Sequence, residues 1–266
     1  MAKKINGRAL QIKIDAVTLQ RVDNLKQIFR SPKLVTYCDI NNPSAELYTN
    51  MKVKKASELG ITEQIKHINQ STTLAWMEEN ITTDNQDLDI DGIMMQLPLP
   101  KQLRDQTDYL ISLIDEAKDV DGLSDKSPFL PATVLGVMLI LEDQKLLGQK
   151  LNYQVVGGVR GKIGQVLVRV LSEKGEMVGG ISKDDPDLPK KARQADVLIS
   201  STGVPGIIKP EMIKPGIVAV DVGLGDLDPE CYPKTSAYTP KFGGTGPMTV
   251  SALMQNVVWA VEMKLP

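Results

Sequence analysis

The stretch YQVVGGVRGKIGQVLVRVLSEKGEMVGGIS, residues 153–182, decides the fold of this chain. Residues 153–158 predict a strand that runs into glycines, 161–175 predict a helix, and 176–182 predict a second strand. A strand, a glycine-rich turn, a helix and another strand form the repeating unit of a parallel sheet covered by helices. The stretch therefore predicts a Rossmann-like domain of the α/β class.

The same alternation continues in both directions along the chain. Further strands are predicted at 34–40, 90–95, 195–203 and 216–223, and further helices at about 43–58, 131–147 and 247–264. Asn42 and Pro43 are typical of a helix start, and Gly60 is typical of a helix end. The stretch 61–70, which contains His67, has a helix-like composition.

The change in sequence texture near residue 118 predicts two α/β domains with a cleft between them. Residues 1–118 plus 247–266 would form the catalytic domain, because the last predicted helix is expected to pack back on the first half. Residues 119–246 would form the Rossmann-like NAD(P)-binding domain.

Composition narrows the function. The 266 residues are 42% hydrophobic and 24% charged with a net charge of −2, so no basic surplus is present to bind a nucleic-acid backbone. Cys38 and Cys231 are far apart, and the sequence shows neither a secretory signal nor an apolar run of membrane-spanning length. We therefore expect reduced thiols in a cytoplasmic protein. His67 is the single histidine, which excludes a His-rich metal site, and we expect no metal.

The glycines of GGVRGKIG (157–164) follow a predicted strand and open a predicted helix. Glycine lets a backbone approach a pyrophosphate closely, and a helix N-terminus favours its negative charge. The spacing departs from G-x-G-x-x-G, and glycines in such a turn can also be purely structural. The next strand ends at SKDD (182–185), where an acid suits a ribose 2′-hydroxyl and a lysine or serine suits a 2′-phosphate. NAD and NADP therefore both remain open.

Polar residues outside the glycine turn are candidates for the chemistry. Tyr48 and Lys52 lie four residues apart on a predicted helix and share a face, where a desolvated lysine can act as an acid or base. Spacing alone favours an ordinary solvent-facing helix surface for this pair. Gln96 follows a predicted strand at the edge where ligands of open α/β sheets gather. Asp121 precedes a glycine in a loop, which is a common turn position.

Four motifs in order along the chain resemble the methylenetetrahydrofolate dehydrogenase/cyclohydrolase family, and the resemblance runs nearly end to end. They are YTNMKVKKASELGI (48–61), GIMMQLPLP (92–100), KDVDG (118–122) and FGGTGPMT (242–249). Another Rossmann-type oxidoreductase, such as an amino-acid or shikimate-type dehydrogenase, would explain the glycines and the sheet. It would not explain QLPLP together with KDVDG.

The resemblance implies a role for each matching residue. Lys52 would be the general acid/base of the cyclohydrolase step, Gln96 would hydrogen-bond it, and Tyr48 would stack beside the folate ring and orient the lysine. Asp121 would bind the amino edge of the pterin. The folate pocket would also include Met95, Leu97, Phe242, Gly243, Gly244 and Gly246. The cofactor would be bound by Gly158, Val159, Arg160, Gly164, Ser182 and Leu224.

The resemblance also implies two reactions. The protein would oxidise 5,10-methylenetetrahydrofolate to the 5,10-methenyl form with NADP, or NAD, and would hydrolyse the methenyl form to 10-formyltetrahydrofolate. It would act in one-carbon metabolism and purine biosynthesis as a homodimer formed through the cofactor domains. Its partners would be tetrahydrofolate derivatives, with neither nucleic acid nor a membrane among them.

The departures from the family pattern cluster in the cofactor half. Gly158-Val159-Arg160 replaces G-R-S, Val166 replaces a proline, Ile181-Ser182 replaces H-S, PATVLG (131–136) reduces P-C-T-P-x-G, and Phe242 replaces the proline of P-G-G. Arg160 is the candidate for a 2′-phosphate contact. A cyclohydrolase with weak or lost dehydrogenase activity would account for these departures. A non-catalytic folate- or nucleotide-binding protein is the remaining alternative.

Overall fold

The computed structural model describes residues 2–265, apart from the side chain of Ser44. The chain divides into two compact units. We call one the three-stranded unit, which comprises Lys13–Ala132 and Val250–Pro266, and the other the six-stranded unit, which comprises Met1–Ile12 and Thr133–Thr249. Every strand pairing in both units is parallel, as the alternation of strands and helices predicts.

The elements follow one another along the chain in an alternating order. The strands are β1 (Lys3–Lys4), β2 (Lys33–Asp39), β3 (Thr62–Ile68), β4 (Gly92–Met95), β5 (Asn152–Val156), β6 (Met177–Ile181), β7 (Val197–Ser200), β8 (Val218–Asp221) and β9 (Ala237–Tyr238). The helices are α1 (Gly7–Ile28), α2 (Pro43–Glu58), α3 (Leu74–Gln86), α4 (Thr107–Ser112), α5 (Ala132–Asp143), α6 (Lys162–Glu173), α7 (Leu188–Ala192) and α8 (Thr245–Glu262). Short 3₁₀ helices span Lys101–Gln106, Glu116–Lys118, Pro210–Met212 and Pro229–Lys234.

The sheet of the three-stranded unit has the order β3-β2-β4. The central strand β2 is buried along nearly its whole length, as expected for the middle of a parallel sheet covered on both faces. Side chains on one face, among them Val35, Tyr37 and Met95, pack into an apolar core with residues of α3 and α4. Helix α2 packs against β2 and β3.

The sheet of the six-stranded unit has the order β1-β9-β8-β7-β5-β6. Helix α6 connects β5 to β6, and its buried residues Leu167, Val170 and Leu171 recur at helical spacing on one face. The strand, glycine turn, helix and strand predicted from residues 153–182 are therefore confirmed.

The two units differ from the predicted domains, 1–118 plus 247–266 and 119–246, at the N-terminal segment, after Lys118 and at residues 247–249, which belong to the six-stranded unit. The N-terminal segment belongs to the six-stranded unit because β1 pairs with β9 there. The segment after Lys118 belongs to the three-stranded unit, where Asp119 bridges to Ile93. Within that unit the side-chain amide of Asn256 on α8 donates to the carbonyl of Val120 at 2.8 Å.

The helix-like interpretation of residues 61–70 is wrong, because β3 occupies Thr62–Ile68. This strand is at an edge of its sheet, so its burial alternates and polar residues are tolerated along it. His67 is an exposed strand residue. Within residues 2–265, no helix combines the length and the apolar character that crossing a membrane requires.

Candidate active site

Helix α2 positions Tyr48 and Lys52. The side chain of Asn42 accepts a hydrogen bond from the backbone N–H of Ala45 at 3.2 Å, and Gly60 follows the helix with a φ of +69°. These are the start and stop signals that the sequence indicates. Lys52 is only 8% exposed, so it does not lie on a solvent-facing helix surface, the interpretation that spacing alone favours.

The amine of Lys52 has two neighbours on and just after β4. Its Nζ donates to Oε1 of Gln96 at 2.8 Å and lies 3.5 Å from Sδ of Met94. Gln96 is held in turn by its backbone N–H, which donates to the carbonyl of Tyr37 at 2.8 Å, and by its side-chain Nε2, which donates to the carbonyl of Leu97. The pairing of Lys52 with Gln96 that the resemblance implies is present.

Burial shifts the pKa values of Lys52 and of the neighbouring Asp121. Burial lowers the pKa of Lys52, and the negative charge of Asp121 is the largest influence that opposes this shift. Burial also raises the pKa of Asp121 to about 6, while the charge of Lys52 acts in the opposite direction. Among the described residues, none donates a hydrogen bond to the Asp121 carboxylate or forms an ion pair with it. An amine of lowered pKa therefore lies in the electrostatic range of a carboxylate that a ligand can still engage.

The motif KDVDG (118–122) divides into structural and functional positions. The buried amine of Lys118 donates to the carbonyls of Asp84, Asn85 and Asp87 at 2.7–2.9 Å, where α3 ends. The carboxylate of Asp119 accepts from the backbone N–H of Ser124 at 2.7 Å, which closes the loop. Lys118 and Asp119 thus stabilise the loop, and Asp121 is the member of the motif left to contact a ligand.

The other predicted folate residues of the three-stranded unit differ in their surroundings. Tyr48 is half-buried one helical turn before Lys52, and burial raises its pKa. Leu97 is 37% exposed directly after Gln96. The side chain of Met95 lies in the apolar core, whereas Met94, which the sequence prediction did not include, reaches Lys52. Strand alternation is the signal that would have separated the two methionines.

The remaining predicted folate residues belong to the six-stranded unit and precede or begin α8. Phe242 is 79% exposed. The carbonyl of Gly243 accepts from the backbone N–H of Gly7 at 2.9 Å, and Gly243 has a φ of +78°. A Cβ on Gly244 would lie 2.4 Å from the carbonyl oxygen of Pro240, so this position requires glycine. Nothing lies within 4 Å of a Cβ built on Gly246.

The glycine turn of the six-stranded unit is tightly packed against itself. Gly157 has a φ of +91°, a left-handed conformation that favours glycine. A Cβ on Gly164 would lie 2.3 Å from the carbonyl oxygen of Gly157, and a Cβ on Gly158 would lie 2.8 Å from that of Val155. Glycine is therefore needed for the first turn of α6 to approach the end of β5.

A cavity of about 240 Å³ opens at this turn. It is lined by Gly157, Arg160, Gly161, Ser182, Lys183, Asp184, Ser201 and Thr202. Of the predicted cofactor residues, Arg160 and Ser182 line it, Gly158 and Gly164 are buried in the turn, and Val159 and Leu224 are exposed outside the lining. Ser201 and Thr202 were missed, although both directly follow β7, at the carboxyl edge where nucleotides bind in such sheets.

The cavity has the chemistry of a nucleotide-phosphate site. Neither Arg160 nor Lys183 forms an ion pair with another residue in the 2–265 range, so both charges are available to an anion. Gly157 and Gly161 line the cavity beside the N-terminus of α6, an end of a helix that attracts phosphate. Across residues 2–265, no group of three or more His, Cys, Asp and Glu side chains could hold a metal ion.

Comparison with known protein families matches the chain in two consecutive segments. Residues 5–121 match the family model described as tetrahydrofolate dehydrogenase/cyclohydrolase, catalytic domain. Residues 131–265 match the model of the tetrahydrofolate dehydrogenase/cyclohydrolase NAD(P)-binding domain. The first match contains Lys52, Gln96 and Asp121, and the second contains the glycine turn.

Relatives along the full length agree as well. The bifunctional protein FolD of Aquifex aeolicus (strain VF5) is 34% identical over 99% of this chain and 97% of its own. The crystal structure of the bifunctional FolD methylenetetrahydrofolate dehydrogenase/cyclohydrolase from Campylobacter jejuni covers 100% of both chains with a TM-score of 0.93 and 30% identity. The Trypanosoma brucei enzyme, solved with NADP and an inhibitor, shares the fold with a TM-score of 0.92 at 24% identity, covering 99% of this chain and 98% of its own. This chain belongs to the tetrahydrofolate dehydrogenase/cyclohydrolase family.

Proposed function

We propose that this chain is a bifunctional enzyme that oxidises 5,10-methylenetetrahydrofolate to the 5,10-methenyl form with NADP and hydrolyses the methenyl form to 10-formyltetrahydrofolate. The buried Lys52 hydrogen-bonded to the half-buried Gln96, in the field of the Asp121 carboxylate, is the observation that carries the proposal. A protein that only binds folate has no need of a desolvated lysine whose amine is fixed by a glutamine.

Lys52 performs the proton transfers of the hydrolysis. Water adds to the methenyl carbon and loses a proton, which the neutral amine of Lys52 accepts. The bond from this carbon to N5 then breaks as the hydroxyl becomes the formyl carbonyl, and the ammonium of Lys52 returns a proton to N5. The hydroxyl proton is released to solvent. Because burial lowers the pKa of Lys52, its amine is poised to work in both directions closer to neutral pH than a solvated lysine.

Gln96 and Asp121 prepare the site for this chemistry. Gln96 accepts a hydrogen bond from the amine, which fixes its position in both protonation states. The methenyl form carries a positive charge, and a negative Asp121 favours a cationic ring in the site. Asp121 accepts hydrogen bonds from the amino edge of the pterin, and Tyr48 stacks beside the ring. The assignment of Met95, Leu97, Phe242, Gly243, Gly244 and Gly246 to folate binding stays a prediction.

The six-stranded unit binds the nicotinamide cofactor. Bound NADP supplies the hydride acceptor of the oxidation, which requires positioning more than acid–base assistance. The glycine turn of 157–164 admits the phosphates to the N-terminus of α6. Arg160 and Lys183 provide the positive charge for a 2′-phosphate, which supports NADP over NAD despite the acidic Asp184 on the same cavity.

Two assays test the proposal on the purified protein. Formation of reduced nicotinamide from methylenetetrahydrofolate, with NADP and with NAD, tests the oxidation, and decay of methenyl absorbance tests the hydrolysis. Lys52→Met should lower the hydrolysis rate by roughly 10²–10⁴-fold, the usual contribution of acid–base catalysis. The matched control is Lys54→Met, because Lys54 lies on the same helix with its side chain 80% exposed. Unchanged hydrolysis in Lys52→Met would contradict the proposed role.

We further propose that the protein is a cytoplasmic homodimer formed through its six-stranded unit. Strand β6 lies at an edge of that sheet, and Met177 on it is 59% exposed. An exposed strand edge with an apolar side chain offers a surface for a second copy. Cys38 and Cys231 are both free and buried, which suits a reducing compartment. Light scattering of wild type and Met177→Lys tests the assembly, and a monomeric wild type would contradict it.

A further inference from the structure

Glu63 lies on the same face of the three-stranded sheet as the neighbours of Lys52. In the register of the sheet, Glu63 on β3 pairs with Leu34 on β2, and Thr36 on β2 pairs with Met94 on β4. Since alternate residues of a strand share a face, Glu63, Thr36 and Met94 all project to one side. The amine of Lys52 contacts Met94 on that side, so the lysine and the glutamate approach the same surface.

The carboxylate of Glu63 is only half satisfied. Its Oε1 accepts a hydrogen bond from the hydroxyl of the fully buried Thr36 at 2.8 Å. Its Oε2 is buried and has no hydrogen-bond partner among the residues that the structure describes. A buried carboxylate oxygen without a partner destabilises a fold, so its presence calls for a functional reason.

We propose that Glu63 is a positioning residue of the hydrolysis, whose buried negative charge stabilises the ammonium form of Lys52 that returns a proton to N5. This inference rests on the proposed role of Lys52. Glu63 forms no ion pair with Lys52 at 4.0 Å or less in the structure, so it acts through its field and leaves the amine free to exchange a proton. Thr36 fixes the side chain of Glu63 in the orientation that the charge requires.

Groups from each surrounding element determine the titration of Lys52. Glu63 contributes from β3, Cys38 from β2 and Asp121 from the loop before α5, and all three act to raise the pKa of Lys52. Tyr48 is the titratable neighbour on α2 itself. Burial raises the pKa of Glu63, and the hydrogen bond from Thr36 and the charge of Lys52 oppose that shift.

The decisive variant is Glu63→Gln, which keeps the shape and the acceptor for Thr36 but removes the charge. The pKa of Lys52, followed by NMR of the ¹³C-labelled lysine side chain, should fall. The limb of the hydrolysis pH profile that titrates with Lys52 should move to lower pH by the same amount. Glu63→Asp, which retains the charge, should recover part of both shifts. Glu79→Gln is the matched control, because Glu79 is exposed on α3 in the same unit.

The NMR titration separates this inference from the proposed function. A lysine pKa in Glu63→Gln equal to that of wild type and Glu79→Gln would overturn the role of Glu63, whether or not the enzyme hydrolyses methenyltetrahydrofolate. If the lysine pKa shifts in Glu63→Gln but the wild type does not hydrolyse methenyltetrahydrofolate, the proposed function is contradicted and the role of Glu63 is not. Should Glu63→Gln fail to fold, the wild type still decides the matter. A Glu63 carboxyl that stays protonated throughout the titration of Lys52 would overturn the inference.

Discussion

Replacing Asp121 by asparagine should stabilise the protein at neutral pH while weakening folate binding. Burial raises the pKa of the Asp121 carboxyl from 3.8 to about 6. Each pKa unit corresponds to about 1.36 kcal/mol, so ionising this carboxyl costs ~3 kcal/mol more in the folded state than in the unfolded chain. Asp121 keeps partial solvent exposure. Solvent screening therefore reduces the gain in the free energy of unfolding to about 1–2 kcal/mol at pH 7.

The sign of the pH dependence follows from the raised pKa of Asp121. Such a carboxyl contributes its stability fully below its unfolded-state pKa, 3.8, and loses it as the pH rises through about 6. Asparagine resembles the protonated form at every pH. The free energies of unfolding of wild type and Asp121→Asn should therefore coincide near pH 3.5, diverge in favour of the variant as the pH rises from 3.8 to about 6, and differ by a constant amount above that.

Urea unfolding at a series of pH values measures this difference, and the KM for methenyltetrahydrofolate measures the loss of binding. Asp125→Asn is the matched control, because Asp125 is exposed in the same loop. A variant that is no more stable than wild type at pH 7, or whose advantage is the same at pH 3.5, would refute the reasoning. A raised KM with increased stability would show that the carboxylate is retained for binding at the expense of stability.

Three further predictions concern residues of the scaffold and the cofactor turn. Lys118→Met should lower the free energy of unfolding by about 2–4 kcal/mol in urea titrations, because three carbonyls at the end of α3 lose their donor. Tyr37→Phe should lower it by about 1–2 kcal/mol in the same assay, because the hydroxyl donates to the buried Asp84 at 2.6 Å. Gly164→Ala should weaken NADP binding at least about tenfold in fluorescence titrations and spare methenyl hydrolysis, because its Cβ would lie 2.3 Å from the carbonyl oxygen of Gly157.

The sequence was sufficient to predict helices and strands that have one apolar and one polar face, or whose ends carry residues typical of a helix start or stop. The bounds of α2 coincide with the prediction because Pro43 and Gly60 mark its ends. The predicted strand 153–158 and helix 161–175 correspond to β5 and α6. Strand β3 was misassigned because an edge strand with polar residues lacks a clear period. Strand β1 is two residues long and depends on pairing with β9, which no local pattern indicates.

The site was predictable where side chains follow a strand end and unpredictable where they depend on packing. Gln96 was found because it follows β4 at the carboxyl edge of the sheet. The burial of Lys52 could not be predicted from spacing, since a solvent-facing helix has the same pattern; only the family motif indicated it. Glu63 carries no motif, and its relation to Lys52 arises from strand register.

In the three-stranded unit, burial alone does not distinguish the acids of the active site from those of the scaffold, whereas the number of hydrogen-bond partners does. In the three-stranded unit, Asp91 is fully buried and is saturated by Arg30, at 2.6 and 2.8 Å, and by Lys264, at 2.8 Å. Glu63 instead retains a buried oxygen without a hydrogen-bond partner, and both Glu63 and Asp121 act electrostatically on an amine of lowered pKa. An acid whose oxygens are all paired holds the fold, whereas an acid with an unpaired oxygen can still bind a substrate. Because Asp91 and Asp121 are the same residue type, this difference becomes visible only when the partners in space are known.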